Sequence, residues 1–67
     1  MKIYAHSSEY FIRIVDDIDD EIIREFLQNK NSYIAAIQPF IDIKGPENEY
    51  YDVVDFLSSN RIYFQTY

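Results

Sequence analysis

Sixty-seven residues carrying twelve acidic and six basic side chains have a formal net charge of −6 and a pI near 4.4. Such a balance repels nucleic-acid backbones and anionic membranes and favours basic protein surfaces as partners. The absence of cysteine excludes a disulfide framework and thiolate metal sites, and a hydrophobic content of 48% excludes disorder.

The length is that of one domain, 1–67, near the lower limit for a self-sufficient core. Met1-Lys2-Ile3-Tyr4-Ala5-His6 runs into polar residues and does not read as a signal peptide. The longest apolar run is five residues, against the ~20 needed to span a bilayer. With no disulfide staples either, a cytoplasmic home is expected. Eleven isoleucines, with abundant Tyr, Phe, Asn and Asp, suggest an AT-rich coding region of the kind found in low-GC bacteria, their phages and mobile elements.

Lys2 to Val15 reads as extended chain. Glu9 to Val15 alternates, with Tyr10, Ile12 and Ile14 on one face and Phe11, Arg13 and Val15 on the other. Lys2 to His6 forms either a short partner strand beyond a turn at Ser7-Ser8 or the first half of one bent strand. The run Asp16-Asp17-Ile18-Asp19-Asp20-Glu21 predicts a helix start, because carboxylates accept the unpaired amide hydrogens there and complement the dipole. Ile22, Ile23, Phe26 and Leu27 make its apolar stripe, opposite Glu21, Arg24, Glu25 and Gln28. Lys30 suits the last turn, and Asn31 a left-handed cap.

Tyr33 to Ile43 is apolar on both faces, as a covered strand would be. Pro39 cannot donate to a ladder, so it marks a bulge, an edge or a break between two strands; a short helix over 32–38 is the competing reading. Lys44-Gly45-Pro46 is the clearest punctuation, and Pro46 fits a helix's first position. Tyr50, Val53, Val54 and Leu57 then recur at helical spacing, with Asp52 and Asp55 opposite, and Ser58-Ser59-Asn60 closes that helix. Arg61 to Tyr67 predicts a last strand. The sum is an α+β domain of order β(β)αβαβ, with two helices on one face of a three- or four-stranded sheet. Phe11, Arg13, Val15, Tyr63, Gln65 and Tyr67 would leave a half-apolar surface on the other face.

No motif carries chemistry. The aspartate run lacks the glycine and terminal glutamate of a calcium loop, and capping explains it better than metal binding. His6 has no nucleophile suitably placed: Ser7 and Ser8 would point to opposite faces of a strand. With one glycine and no phosphate loop, neither catalysis nor a cofactor is expected.

A protein–protein interaction module remains. Tyrosine buries large area at small entropic cost, and Tyr51 falls among carboxylates. The candidate partner-binding residues are Asp16, Asp17, Asp19, Asp20, Glu21, Glu49, Tyr51, Asp52 and Asp55. In size and charge the chain is similar to nucleic-acid mimics and phage anti-defence inhibitors such as anti-CRISPR proteins, which occupy basic nucleic-acid-binding surfaces of host enzymes. The alternative is a non-catalytic accessory or assembly subunit, a homodimer or larger oligomer joined through the open sheet face.

Overall fold

The structure, a computed structural model, describes residues 9–66. In chain order these form β1 (Glu9–Ile14), α1 (Asp20–Leu27), β2 (Tyr33–Ala36), β3 (Ile41–Pro46), a short 3-10 turn (Glu47–Glu49), α2 (Tyr50–Ser59) and β4 (Phe64–Thr66). The expectations placed on Lys2 to His6, Ser7-Ser8, His6 and Tyr67 lie outside the described residues.

The four strands make one antiparallel sheet in the order β2-β3-β1-β4. This β-α-β-β-α-β order with interleaved strands is the split βαβ, or ferredoxin-like, arrangement. Tyr33 to Ile43 is therefore neither one strand nor a helix. It is most of a hairpin, whose arms meet through Tyr33–Lys44 and Ile34–Ile43, with a register shift before Ala36–Asp42. The cis Gln38–Pro39 bond lies in the connection between its arms.

Alternation along the central strands decides what is buried. Tyr10, Ile12 and Ile14 of β1 sit opposite Gly45, Ile43 and Ile41 of β3. Their apolar members join Ile23 and Leu27 of α1, Val53 and Leu57 of α2, and Ile62 in a single core. Both helices thus cover the same sheet face. Full burial of an aliphatic side chain contributes about 1.5–3 kcal/mol, so the six fully buried side chains, Ile12, Ile14, Ile23, Ile43, Val53 and Leu57, dominate the stabilisation. Phe26 and Phe56 stack between the helices, with ring centroids 4.0 Å apart. Ile22 departs from the expected stripe and is 44% exposed, since α1 turns only Ile23 and Leu27 fully inward.

The opposite sheet face is mixed: the rings of Phe11, Tyr33 and Phe40 share it with the charges of Arg13, Asp42 and Lys44. Arg13 donates to both carboxylate oxygens of Asp42 at 2.9 and 3.2 Å, and Asp42 is buried. The Arg13 guanidinium also lies 5.6 Å from the Phe11 ring and 5.4 Å from Phe40, while the Lys44 ammonium lies 5.7 Å from Phe11.

Three boundaries differ from the sequence reading. The acidic run does start α1, but only at its end: the helix begins at Asp20, capped by Asp19, whose carboxylate accepts from the Glu21 amide at 3.1 Å. Pro46 ends β3 and precedes the 3-10 turn instead of opening a helix. Arg61 is not strand. With φ at 58° it is the left-handed residue that closes α2, and among the described residues no other non-glycine has positive φ, Asn31 included. The amides of Arg61 and Ile62 donate back to the carbonyls of Ser58 and Leu57. This is the Schellman pattern, and it folds Ile62 onto the core.

A side chain in the left-handed region carries a steric cost that glycine escapes. Arg61→Gly is therefore expected to stabilise the protein by about 0.5–1 kcal/mol, read as a raised midpoint of urea unfolding. An unchanged or lowered midpoint would contradict this account of the helix end.

Candidate partner-binding surface

The nine residues singled out in the sequence do not form one site. β1 pairs Ile14 with Ile41 at one end of the sheet and Glu9 with Pro46 at the other. The Asp16 to Glu21 segment follows the first end, whereas Glu49 and Tyr51 follow Pro46 at the second.

At the first end, the β1–α1 connection faces the β2–β3 hairpin across a shallow groove of about 450 Å³. Asp16, Asp17, Asp19 and Asp20 line one side, and Ile37 to Phe40 the other. Most of these acids already have internal work. Asp16 accepts from the amides of Asp17 at 3.0 Å and Tyr63 at 3.3 Å, tying the connection to the chain entering β4. Asp19 caps α1, and Asp20 pairs with Arg24 at 2.6 Å, one turn on. Asp17 and Glu21 are exposed. Exposure of Val15 matches its expected place on the half-apolar face, whereas that of Ile37 and Phe40 was not anticipated; the three are each 39–40% exposed. The available signal was the pair of apolar residues flanking Gln38-Pro39, since a turn built from such residues must leave them near the surface.

At the second end the half-buried Glu49 reaches back to the α1–β2 turn. Its carboxylate accepts from the amide of Asn31 at 3.1 and 2.9 Å, the amide of Ser32 at 2.9 Å and the Ser32 hydroxyl at 2.6 Å. Ser32 Oγ in turn accepts from the Tyr10 hydroxyl at 2.5 Å. The Asn31 amide, then the Ser32 hydroxyl, and further the Lys30 charge hold the Glu49 carboxyl below its ordinary value of 4.5. Burial raises the Tyr10 phenol. Glu49 thus serves as an internal tie between the α1–β2 turn and the start of α2, a role a sequence pattern could not reveal because its partners lie 17 and 18 residues earlier.

Tyr51, Asp52 and Asp55 project from α2. Tyr51 is 75% exposed, and Asp55 shares its flank one turn later. Asp52 reaches the Lys30 ammonium at 3.4 Å but remains 61% exposed. Asp52 and Asp55 border a shallow depression with Phe26, Lys30 and Phe56; Lys30 itself lies over the Phe26 ring at 5.2 Å.

Among the described residues no three His, Cys, Asp or Glu side chains converge as metal ligands, and no helix is long and apolar enough to cross a membrane. No protein-family model, curated protein or solved structure matches this chain.

Because the folded Glu49 carboxyl holds its proton less tightly than the unfolded one, its contribution is present above the unfolded value and lost as pH falls through the lower folded value. Urea unfolding should therefore show stability declining below about pH 4.5. Glu49→Gln should lower stability at neutral pH and flatten that acid limb. An acid limb of unchanged slope in the variant would contradict the tie.

Proposed function

We propose that this protein is a small, non-catalytic, acidic interaction module that engages a basic protein surface. In its most specific form it is a cytoplasmic inhibitor of phage or mobile-element type, occupying the nucleic-acid-binding surface of a host enzyme as a DNA mimic does. The observation that carries the reading is the position of Tyr51, which is 75% exposed on α2 with Glu47 and Asp55 one turn before and after it. A large amphipathic ring set among carboxylates supports both contact area and charge complementarity. An inert solvated helix would need only the charges. Asp17, Glu21, Asp52 and Asp55 supply exposed negative charge, whereas Asp16, Asp19, Asp20 and Glu49 contribute mainly by fixing the scaffold that presents it.

The second reading, an assembly subunit joined through its sheet, draws support from the face turned away from α1 and α2. Its paired charges weigh against it. The Arg13–Asp42 pair and the Lys44 ammonium would have to be desolvated in a dry interface.

The test is affinity capture of the partner at low and high salt, with duplex DNA as competitor. Capture should weaken with salt, and DNA should displace the protein. Exposed charges contribute up to ~1 kcal/mol each, so the double variant Asp52→Asn/Asp55→Asn should weaken binding about tenfold at low salt, converging with the parent at high salt. Unchanged low-salt affinity would remove α2 from the interface. Salt-insensitive binding would overturn the electrostatic reading.

A further inference from the structure

At the end of α2 where Tyr51 sits, three tyrosine rings meet. Tyr10 and Tyr50 are edge-to-face, with centroids 5.7 Å apart and planes at 67°. Tyr50 and Tyr51 are likewise edge-to-face, at 5.1 Å and 76°. The three rings, with Glu9, Glu47 and Thr66, line a single cleft of about 460 Å³. We propose that this cleft is an aromatic cage for one alkylammonium group, the end of a lysine side chain, free or methylated, on the basic partner. The inference rests on the interaction reading above and names the anchor of that contact.

The chemistry follows from the geometry. An aromatic face is negative and attracts a cation lying over it within about 6 Å. Rings set nearly perpendicular to one another enclose a corner and not a slot. A tetrahedral ammonium can touch both open walls of a corner, here Tyr50 and Tyr51 with Tyr10 buried beside them, whereas a planar guanidinium prefers to lie flat between parallel planes. The walls are fixed to different degrees: the Tyr10 hydroxyl is held by Ser32, Tyr50 packs against the core, and Tyr51 is open to solvent. The start of α2 presents the positive end of its dipole, which by itself disfavours a cation. Glu47, beside the cleft, opposes that field, whereas the Glu9 carboxylate accepts from the Tyr33 hydroxyl at 3.0 Å on the other sheet face.

Choline is the direct probe, because 3,3-dimethylbutan-1-ol has the same shape without the charge. In an NMR titration, choline should give saturable shifts at Glu47, Tyr50, Tyr51 and Thr66, and the neutral isostere should not. Tyr51→Ala should weaken choline binding about tenfold, Tyr51→Phe should retain it because the ring face and not the hydroxyl is used, and Glu47→Gln should weaken it. Tyr51 is an exposed residue, so these variants leave the core intact; matching amide spectra elsewhere will verify this. In parallel, a lysine-rich peptide should bind more tightly than an arginine-rich peptide of equal charge. Equal shifts from choline and its isostere, or a preference for arginine, would overturn the cage. If both peptides bind in a salt-sensitive manner while the cleft resonances stay still, the cage is refuted and the interaction reading stands. If neither peptide binds, both fall.

Discussion

The Glu49 carboxylate is the contact on which the arrangement of this small domain depends. The turn after α1 must bring the chain back to the sheet edge, and its amides at Asn31 and Ser32 have no strand or helix partner there. Left unpaired, the amide of buried Ser32 would carry the penalty of an unsatisfied donor. Glu49 satisfies both, and it sits at the one point where β3 has ended and α2 is about to begin. Ser32 extends the tie by donating to Glu49 and accepting from Tyr10, which stands on the central strand β1. Gly45 makes the approach possible: a Cβ there would lie 2.7 Å from Ser32 Cβ and 2.8 Å from its Cα, closer than any side chain tolerates. One carboxylate, one hydroxyl and one missing side chain therefore lock turn, sheet and second helix together.

This division of labour explains how a chain with net charge −6 remains compact despite its self-repulsion. Several of the acids are neutralised or hydrogen-bonded internally, through Arg13–Asp42, Arg24–Asp20 and the amides held by Asp16, Asp19 and Glu49. The exposed pairs contribute little each. The carboxylate–amide contacts contribute more, because they satisfy backbone donors that the fold strands at its turns. The remaining exposed acids set the outward field, which is the property a basic partner would sense.

Both helices were legible because apolar spacing is a local property. Tyr50, Val53, Val54 and Leu57 mark α2 without reference to the rest of the chain, and exposure of Asp52 and Asp55 follows from the same periodicity. The alternation of Tyr10, Ile12 and Ile14 identified the buried face of β1 equally well. The hairpin from Tyr33 to Pro46 was harder to read. Its connection carries Ile37 and Phe40 around Gln38-Pro39, without the glycine, asparagine or aspartate that usually marks a reversal, so two strands resemble one interrupted strand. Nor could local pattern foresee that Glu49 ties back to the α1–β2 turn or that Arg61 accepts a left-handed backbone. Both are imposed by partners distant in sequence or by the packing of Ile62. The acidic candidates were recognised as a set, yet their separation to two ends of the sheet is a consequence of topology alone.

On the proposed reading, the fold uses some carboxylates internally and holds others, together with Tyr51, on an open surface suited to a basic protein. An assembly subunit would instead bury the sheet face away from the helices against a second copy. Light scattering on the purified protein across a range of concentration and salt separates the two most directly. The account predicts a native mass near the chain's 8.1 kDa at all salt concentrations. A salt-insensitive dimer or higher oligomer would contradict it.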